Sequence, residues 1–434
     1  MNRPSSRFHF FRICWVIFLF LLLLGQLQRV QLTANIAFYL HELLIGFWLA
    51  AVFLGQKRRL GFINIIKTRI NQNRWLGWFF LWGTVSLISH QLFSSFQLRP
   101  WLYLLRLSVY LGFALSLQLQ LIRKQFSIKL KNKQVKLLPI SLAAAGVLAA
   151  IFAWFQYGLM PDARHLARLG WDVHYFRLMG FYLDPNFTGL ILTIAGLNLF
   201  RYLPTHPFVS LKRKTKTVFY IPPAAKLPIY GLLIAAVAFT YSRSSYLAFT
   251  ASLAMIAIRF RVDQQRMKSG KLIIVGLLFL LSLPFLPKPG GEGVNLTRTS
   301  TIKSRVETNQ TSLNQIRGGD WVWGQGLFAA TISDEQNPDS PTPVHAHFPD
   351  NIIVFLTANT GLIGLLFFSL AIINWSAALY RQDYYQLIIL WSVVGHSLFN
   401  LSLHEPFVLL WLLISLNFAS QIKSKGIKLF NRGS

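Results

Sequence analysis

The 434-residue chain has a single cysteine, Cys14, and only 14 acidic residues against 43 Lys and Arg. One cysteine excludes an intrachain disulfide and indicates no cysteine-based metal site. Charged residues of both signs make up 13% of the chain, too little polar surface to cover a soluble globule of this size. Walker A, GxGxxG and HExxH patterns are missing, so ATP, a dinucleotide and catalytic zinc are not indicated and no cofactor is expected. The N-terminus, MNRPSSRFHFFR followed by CWVIFLFLLLLG, has the basic and apolar parts of a signal peptide without a convincing small-x-small cleavage site. It reads as a retained first span. No internal repeat is evident.

What the chain does have is apolar length: 53% of residues are hydrophobic and 15% aromatic. Apolar runs of roughly helix-spanning length begin near residues 12, 36, 75, 101, 138, 186, 227, 244, 272, 352, 384 and 406. They predict an all-α polytopic membrane protein with about 12 transmembrane helices. The net charge of +29 does not point to nucleic acid, because the basic residues sit in short runs between the apolar ones. Alternate connections, starting with the N-terminus, hold 31 of the 43 Lys and Arg; the other set holds 11, and Arg106 lies within a span. Positive residues stay inside, so both termini are expected in the cytoplasm. The outside then receives 160–185, the turn at 242–243, a large loop at 288–350 before the tenth helix, and 402–405.

The unusual residues collect on that outer side. One stretch, VHAHFPDNIIVFLTANTGLIGLLFF at 344–368, runs a histidine-rich polar turn straight into a long apolar helix. Pro349 suits a first helical turn and Asp350 the positive end of the helix dipole. Ionisable groups at such a helix end are a functional candidate. The 288–350 loop is expected to hold an amphipathic helix over 302–316, stopped by Gly318 and Gly319, and a segment at 332–344 without structure of its own. His404 and Glu405, just before Pro406, read as a helix cap. His396 and Asn400 read either as an interhelical pair or as lining of an acceptor path.

Depth supplies two further expectations. Between Lys226 and Arg259 the chain must cross twice, leaving about sixteen residues per crossing, or roughly 24 Å of helix for a core of about 30 Å. The TYSRS turn at 240–244 is therefore expected slightly below the surface, where Arg243 must face water, protein or an anion. Glu42 and Arg106 lie six or seven residues inside the second and fourth spans, at roughly equal depth. Opposite charges at one depth are less costly together, so these spans are expected to be neighbours joined by that pair.

In order, the pieces RLMGFYLDPNFTG at 177–189, TYSRSS at 240–245, Arg305 with GQG at 324–326, HAHFPDN with GLIG at 361–364, and GHSLFN at 395–400 resemble the O-antigen ligase and O-antigen polymerase family of bacterial membrane proteins over about residues 140–400. The resemblance implies transfer or polymerisation of a polyprenyl-diphosphate-linked glycan onto a hydroxyl acceptor, glycan or lipid, at the outer face of the inner membrane. Its motif is a histidine, then the residue that Asn351 matches, nine intervening residues and the glycines that Gly361 and Gly364 match; here Asp350 stands in the place of the histidine. The base is thus open between His347 and Asp350, with His345 beside them. Arg177 and Arg243, then Arg305, are the expected diphosphate ligands, because arginine stays charged and grips phosphate oxygens bidentately. Asn186, Asn351, Gly361, Gly364 and His396 are expected to support the site, and no metal is expected. Ligase and polymerase share these motifs. A carrier of a small anion such as inorganic carbon is the alternative reading.

Overall fold

A computed structural model describes residues 6–33, 36–94, 96–122, 127–130, 133–169, 171–202, 223–331 and 348–417. The chain is helical with two small hairpins. Helix α1 (Ser6–Leu24) leads into the antiparallel strands β1 (Arg29–Thr33) and β2 (Ile36–Tyr39), then α2 (Leu40–Phe53), α3 (Gln56–Gln72), α4 (Arg74–Phe93) and α5 (Leu98–Ile122). A second hairpin, β3 (Ser127–Leu130) with β4 (Lys133–Lys136), precedes α6 (Leu137–Leu159) and α7 (Pro185–Tyr202). The remainder comprises α8 (Pro223–Phe239), α9 (Arg243–Val262), α10 (Arg266–Ser282), α11 (Ser300–Asn314), α12 (Asp320–Trp323), α13 (Ile352–Gln382), α14 (Tyr384–His396) and α15 (Pro406–Asn417).

Six helical stretches among the described residues are long and apolar enough to cross a membrane, those of α1, α5, α6, α9, α10 and α13. Apolar α2, α8 and α15 are shorter. The sequence places the second span at residue 36, but 36–39 forms β2 and the helix begins at Leu40, where the Glu42 carboxylate takes the Tyr39 N–H at 3.0 Å. Basic, polar α3 joins two apolar helices and has the composition of an interfacial helix.

Fully buried side chains run through two adjoining groups of helices: Ile191, Ile194, Ile388 and Trp411 on α7, α14 and α15, and Leu22, Ile45, Trp48 and Tyr110 on α1, α2 and α5. Polar contacts tie the far end of this core: Arg201 at the end of α7 pairs with Asp383, whose other oxygen caps α14 through the Gln386 N–H. Around the core, α13 packs along α4 and α9 along α10 and α14.

Helix α13 is broken once, at Gly361, whose φ of +64° no side-chain-bearing residue adopts easily. A Cβ there would stand 2.2 Å from the Val322 carbonyl oxygen. The break receives the backbone of α12: Gln325 N–H donates to the Ala358 carbonyl (2.9 Å), and Trp82 Nε1 on α4 takes the Thr360 carbonyl (2.8 Å). Gly361 therefore docks the 320–326 segment, while a Cβ at Gly364 would run into Thr360 and Trp82. Predicted cap positions at the start of α13 also shift. Asn351 is the cap, its Oδ1 accepting from Ile353 and Val354 N–H, so Pro349 and Asp350 stand just outside the helix.

The expected pair is present. Arg106 Nε on α5 lies 2.5 Å from Glu42 Oε1 on α2, and Tyr110 donates to the same oxygen at 2.7 Å. Arg106 Nη2 also donates to the Ala37 carbonyl, so the ion pair pins the first hairpin onto α5.

Candidate functional site

The starts of α2, α5, α7, α9, α13 and α15 converge on a single end of the bundle, and between them lies a cavity of about 1050 Å³. Helix starts present unpaired N–H groups and the positive end of the dipole, so this geometry favours anions. The lining strengthens that preference with seven arginines, at 29, 99, 106, 177, 243, 298 and 305. Four carboxylates, Asp172, Asp184, Asp350 and Glu405, share it.

All three predicted arginines reach this cavity, through different supports. Arg177 is 6% exposed; its Nε donates to the Thr240 carbonyl (2.9 Å) and Nη2 to that of Tyr241 (3.4 Å). The TYSRS turn is buried, with Thr240, Tyr241 and Ser242 inaccessible, and presents these carbonyls because Tyr241 takes a left-handed backbone at φ +50°. Arg243 turns the other way, donating to the Arg298 carbonyl (2.9 Å) and Thr301 Oγ1 (2.8 Å). Arg305 on α11 donates to Asn400 Oδ1 (2.6 Å) and lies 3.7 Å from Asp350.

Sequence reasoning missed Arg298. Its Nη2 takes the same Tyr241 carbonyl as Arg177, at 3.3 Å, while Nη1 holds the carbonyls of Gly293 (2.6 Å) and Asn295 (3.0 Å). Two guanidinium groups thus share one oxygen. Burial, with Arg298 alongside, pushes Arg177 down to about 9, against the pull of Asp184. Among the described residues neither Arg177 nor Arg243 has a carboxylate within 4 Å. The only signal for Arg298 in the sequence was its place among Lys288, Lys303 and Arg305 in one long outer loop.

A polar relay runs behind the arginines. Asn186 Oδ1 accepts from Ser242 Oγ (2.8 Å), and Ser242 lies 3.1 Å from Ser244, which accepts from Asn400 Nδ2 (2.7 Å). His396 is buried beneath it, 3.3 Å from Ser245 Oγ and 2.6 Å from Ser402 Oγ. His396 and Asn400 therefore do not pair side chain to side chain. Asn400 lines the cavity and His396 supports the serine turn. Asn351, besides capping α13, donates to the Leu398 carbonyl at 3.0 Å.

His345 and His347 lie outside the described residues. Asp350 lines the cavity; burial raises its carboxyl above the ordinary range, opposed by Arg305 and reinforced by Asp184. Asp172, also unforeseen, is pushed up to about 6 by burial with help from Asp184 and Asp350. Its accessible surface faces the cavity, which reconciles a solvent-reached carboxyl with dense surroundings. Glu405 does cap α15, accepting from Val408 N–H at 2.8 Å, and full burial lifts it to about 8. His404 is no cap: it packs among aromatic rings, 4.7 Å from Phe348 and 4.8 Å from Tyr103.

Ligand atoms of Asp172, His174 and Asp184 lie within 4.8 Å of one another, the one arrangement among the described residues that suits a cation. Asp184 Oδ1 is already engaged by the backbone N–H groups of Asn186 and Phe187, as the cap of α7.

Fold and cavity together define a polytopic α-helical membrane protein with an arginine-rich chamber of about 1050 Å³ at one end of its bundle. The family model described as O-antigen ligase matches residues 229–369, a segment that holds Arg243, Arg298, Arg305, Asp350 and the α13 break. That matched segment is similar to the O-antigen ligase family, as the sequence motifs are. Arg177, Asn186 and His396 fall outside the matched segment, yet they meet it across the TYSRS turn. No curated protein matches the chain.

Proposed function

We propose that this protein transfers a glycan from a polyprenyl diphosphate to a hydroxyl acceptor at the outer face of the bacterial inner membrane. The bias of Lys and Arg toward alternate connections supports both termini inside and the cavity on the outer face. The observation that carries the reading is the pair of buried guanidinium groups of Arg177 and Arg298 on the Tyr241 carbonyl, with no carboxylate within 4 Å of Arg177 among the described residues. Buried charge of one sign is costly unless an opposite charge arrives. A diphosphate supplies it, and its charge grows as it departs, so the arginines stabilise the transition state most.

Chemistry then needs only a proton acceptor. The acceptor oxygen bonds to the anomeric carbon as the carbon–oxygen bond to diphosphate breaks; the diphosphate leaves on the arginines and the hydroxyl proton passes to Asp350. Its raised affinity for protons suits a general base better than an ordinary carboxylate. Next to Arg243 an apolar groove of about 430 Å³ opens between α9 and α10, lined by Leu247, Leu280, Leu283 and Leu296. It gives an isoprenoid chain a path from bilayer to diphosphate. The break in α13 does not favour a carrier, since the protein's own backbone fills it.

The test is Arg177→Ala and Arg243→Ala, each assayed in cells for surface polysaccharide and for protein in the membrane. Each is expected to lower transfer by about 10²–10³-fold, the cost of one lost transition-state donor, with the protein still abundant. Lysine at either position should rescue poorly. Full transfer by both alanine variants would sink the assignment. In a deletion strain, shortened chains identify a polymerase and unattached full-length chains a ligase.

A further inference from the structure

The donor reading uses arginines from one side of the cavity, and three others remain. Arg29 on β1, with Arg99 and Arg106 on α5, line the part of the cavity built by the first hairpin and α5, which we take as a second wall. They lie on aromatic rings: Arg29 is 5.4 Å from the Trp171 ring centre, and Arg99 and Arg106 flank Tyr103 at 5.8 and 5.7 Å. Arg106 is spent on Glu42 and the Ala37 carbonyl. Arg29 and Arg99 are not: among the described residues neither has a carboxylate partner, and the buried Arg99 Nε has no hydrogen-bond acceptor. A guanidinium stacked on a ring keeps its N–H edge available for an oxyanion.

Acidic side chains share the lining with both sets of arginines: Asp184 acts on Arg177 and on Glu405, and Glu405 also feels Arg106. A one-substrate anion site needs no second cationic wall. A two-substrate reaction does, because donor and acceptor must be held at once with the proton-transfer groups between them.

We propose that Arg29 and Arg99 form a second oxyanion subsite, which holds a phosphate or carboxylate borne by the acceptor while aromatic Tyr103 and Trp171 flank the sugar. This deepens the transfer reading and rests on it. The same oxyanion chemistry is offered by an anionic lipid headgroup, since both arginines stand at the start of membrane helices or beside one.

The experiment uses the full chain in phosphatidylcholine nanodiscs at neutral pH, saturated with inorganic pyrophosphate to fill the donor side, then titrated with glucose 6-phosphate by ligand-observed NMR. Wild type is expected to bind the sugar phosphate and not glucose. The Arg29→Gln/Arg99→Gln variant should bind it at least about tenfold more weakly, as loss of charge-assisted hydrogen bonds predicts, while retaining pyrophosphate. If that variant loses pyrophosphate too, Arg29→Lys/Arg99→Lys replaces it, with the same expectation of weakened sugar-phosphate binding. Equal sugar-phosphate affinity in variant and wild type overturns the subsite. Loss of sugar-phosphate binding when phosphatidylglycerol is added to the nanodiscs assigns the wall to lipid headgroups and overturns it as well. Failure of the donor reading looks different: Arg177→Gln/Arg243→Gln would then leave pyrophosphate binding intact.

Discussion

Arg106 and Arg177 line the same cavity, and they solve the problem of a shielded cation in opposite ways. Arg106 has a carboxylate at 2.5 Å, a carbonyl and two tyrosine rings. Among the described residues Arg177 donates to carbonyl oxygens, one of them shared with Arg298, and Asp184 acts on it from beyond 4 Å. The first charge is neutralised by the fold. The second is held in place by dipoles that position it without cancelling it, which is how a protein keeps an arginine ready for an anion. A carboxylate partner within reach thus separates structural arginines here from those proposed to meet substrate, with Arg305, 3.7 Å from Asp350 and bonded to Asn400, between the extremes.

That intermediate case gives the largest expected effect. If Asp350 is the base, Asp350→Asn should reduce transfer by about 10²–10⁴-fold, the usual worth of general base catalysis. Pyrophosphate binding should hold or strengthen, because a negative charge beside Arg305 is gone. Weakened pyrophosphate binding would show that Asp350 instead organises the arginines, and wild-type transfer would move the base to His347, His345 or Asp172.

Arg106 is the case to break next. Glu42→Ala should destabilise the protein by about 3–5 kcal/mol, because it strands a shielded charge, and Arg106→Ala by a comparable amount. The double variant should be milder than the sum by about 1–3 kcal/mol, as for contacting residues. Thermal midpoints and membrane yield read this cycle. Simple additivity would mean that Tyr110 and the Ala37 carbonyl, not the ion pair, stabilise α2 against α5.

What could be read from the sequence follows the same divide. Glu42 and Arg106 were found from depth alone, because helix rise converts residue count into distance and membranes make lone charges costly. The apolar runs located the helices for a similar reason. Cap chemistry was harder to read: Pro349-Asp350-Asn351 offers three plausible starts, and only backbone geometry makes Asn351 the cap. GLIG gave no hint that Gly361 accepts the α12 backbone, since the partner is 37 residues away along the chain. Arg298 and Asp172 were invisible for that reason too. Their roles arise where separate loops fold together, and periodicity carries no information about such meetings. β2 was missed because Ile36, Phe38 and Tyr39 suit a strand and a helix start equally.

The smallest effect is the most direct test of the comparison. Arg177 sits at about 9 in the fold, below the unfolded value, so its contribution to stability of the empty protein is present above the unfolded value and lost as pH falls through 9. Its charge at neutral pH is therefore a cost that a bound anion offsets. Sulfate, whose own charge is constant from neutral pH to pH 10, should raise the thermal midpoint of wild type by mass action more than that of Arg177→Gln. As pH rises through 9 the sulfate-induced rise should shrink, because the cation is disappearing. Over the same interval the empty wild type should gain relative to empty Arg177→Gln. These two differences move in opposite directions, which a general loss of stability in alkali cannot imitate. Parallel movement of both would mean that Arg177, like Arg106, is neutralised by the fold, and the contrast between them would collapse.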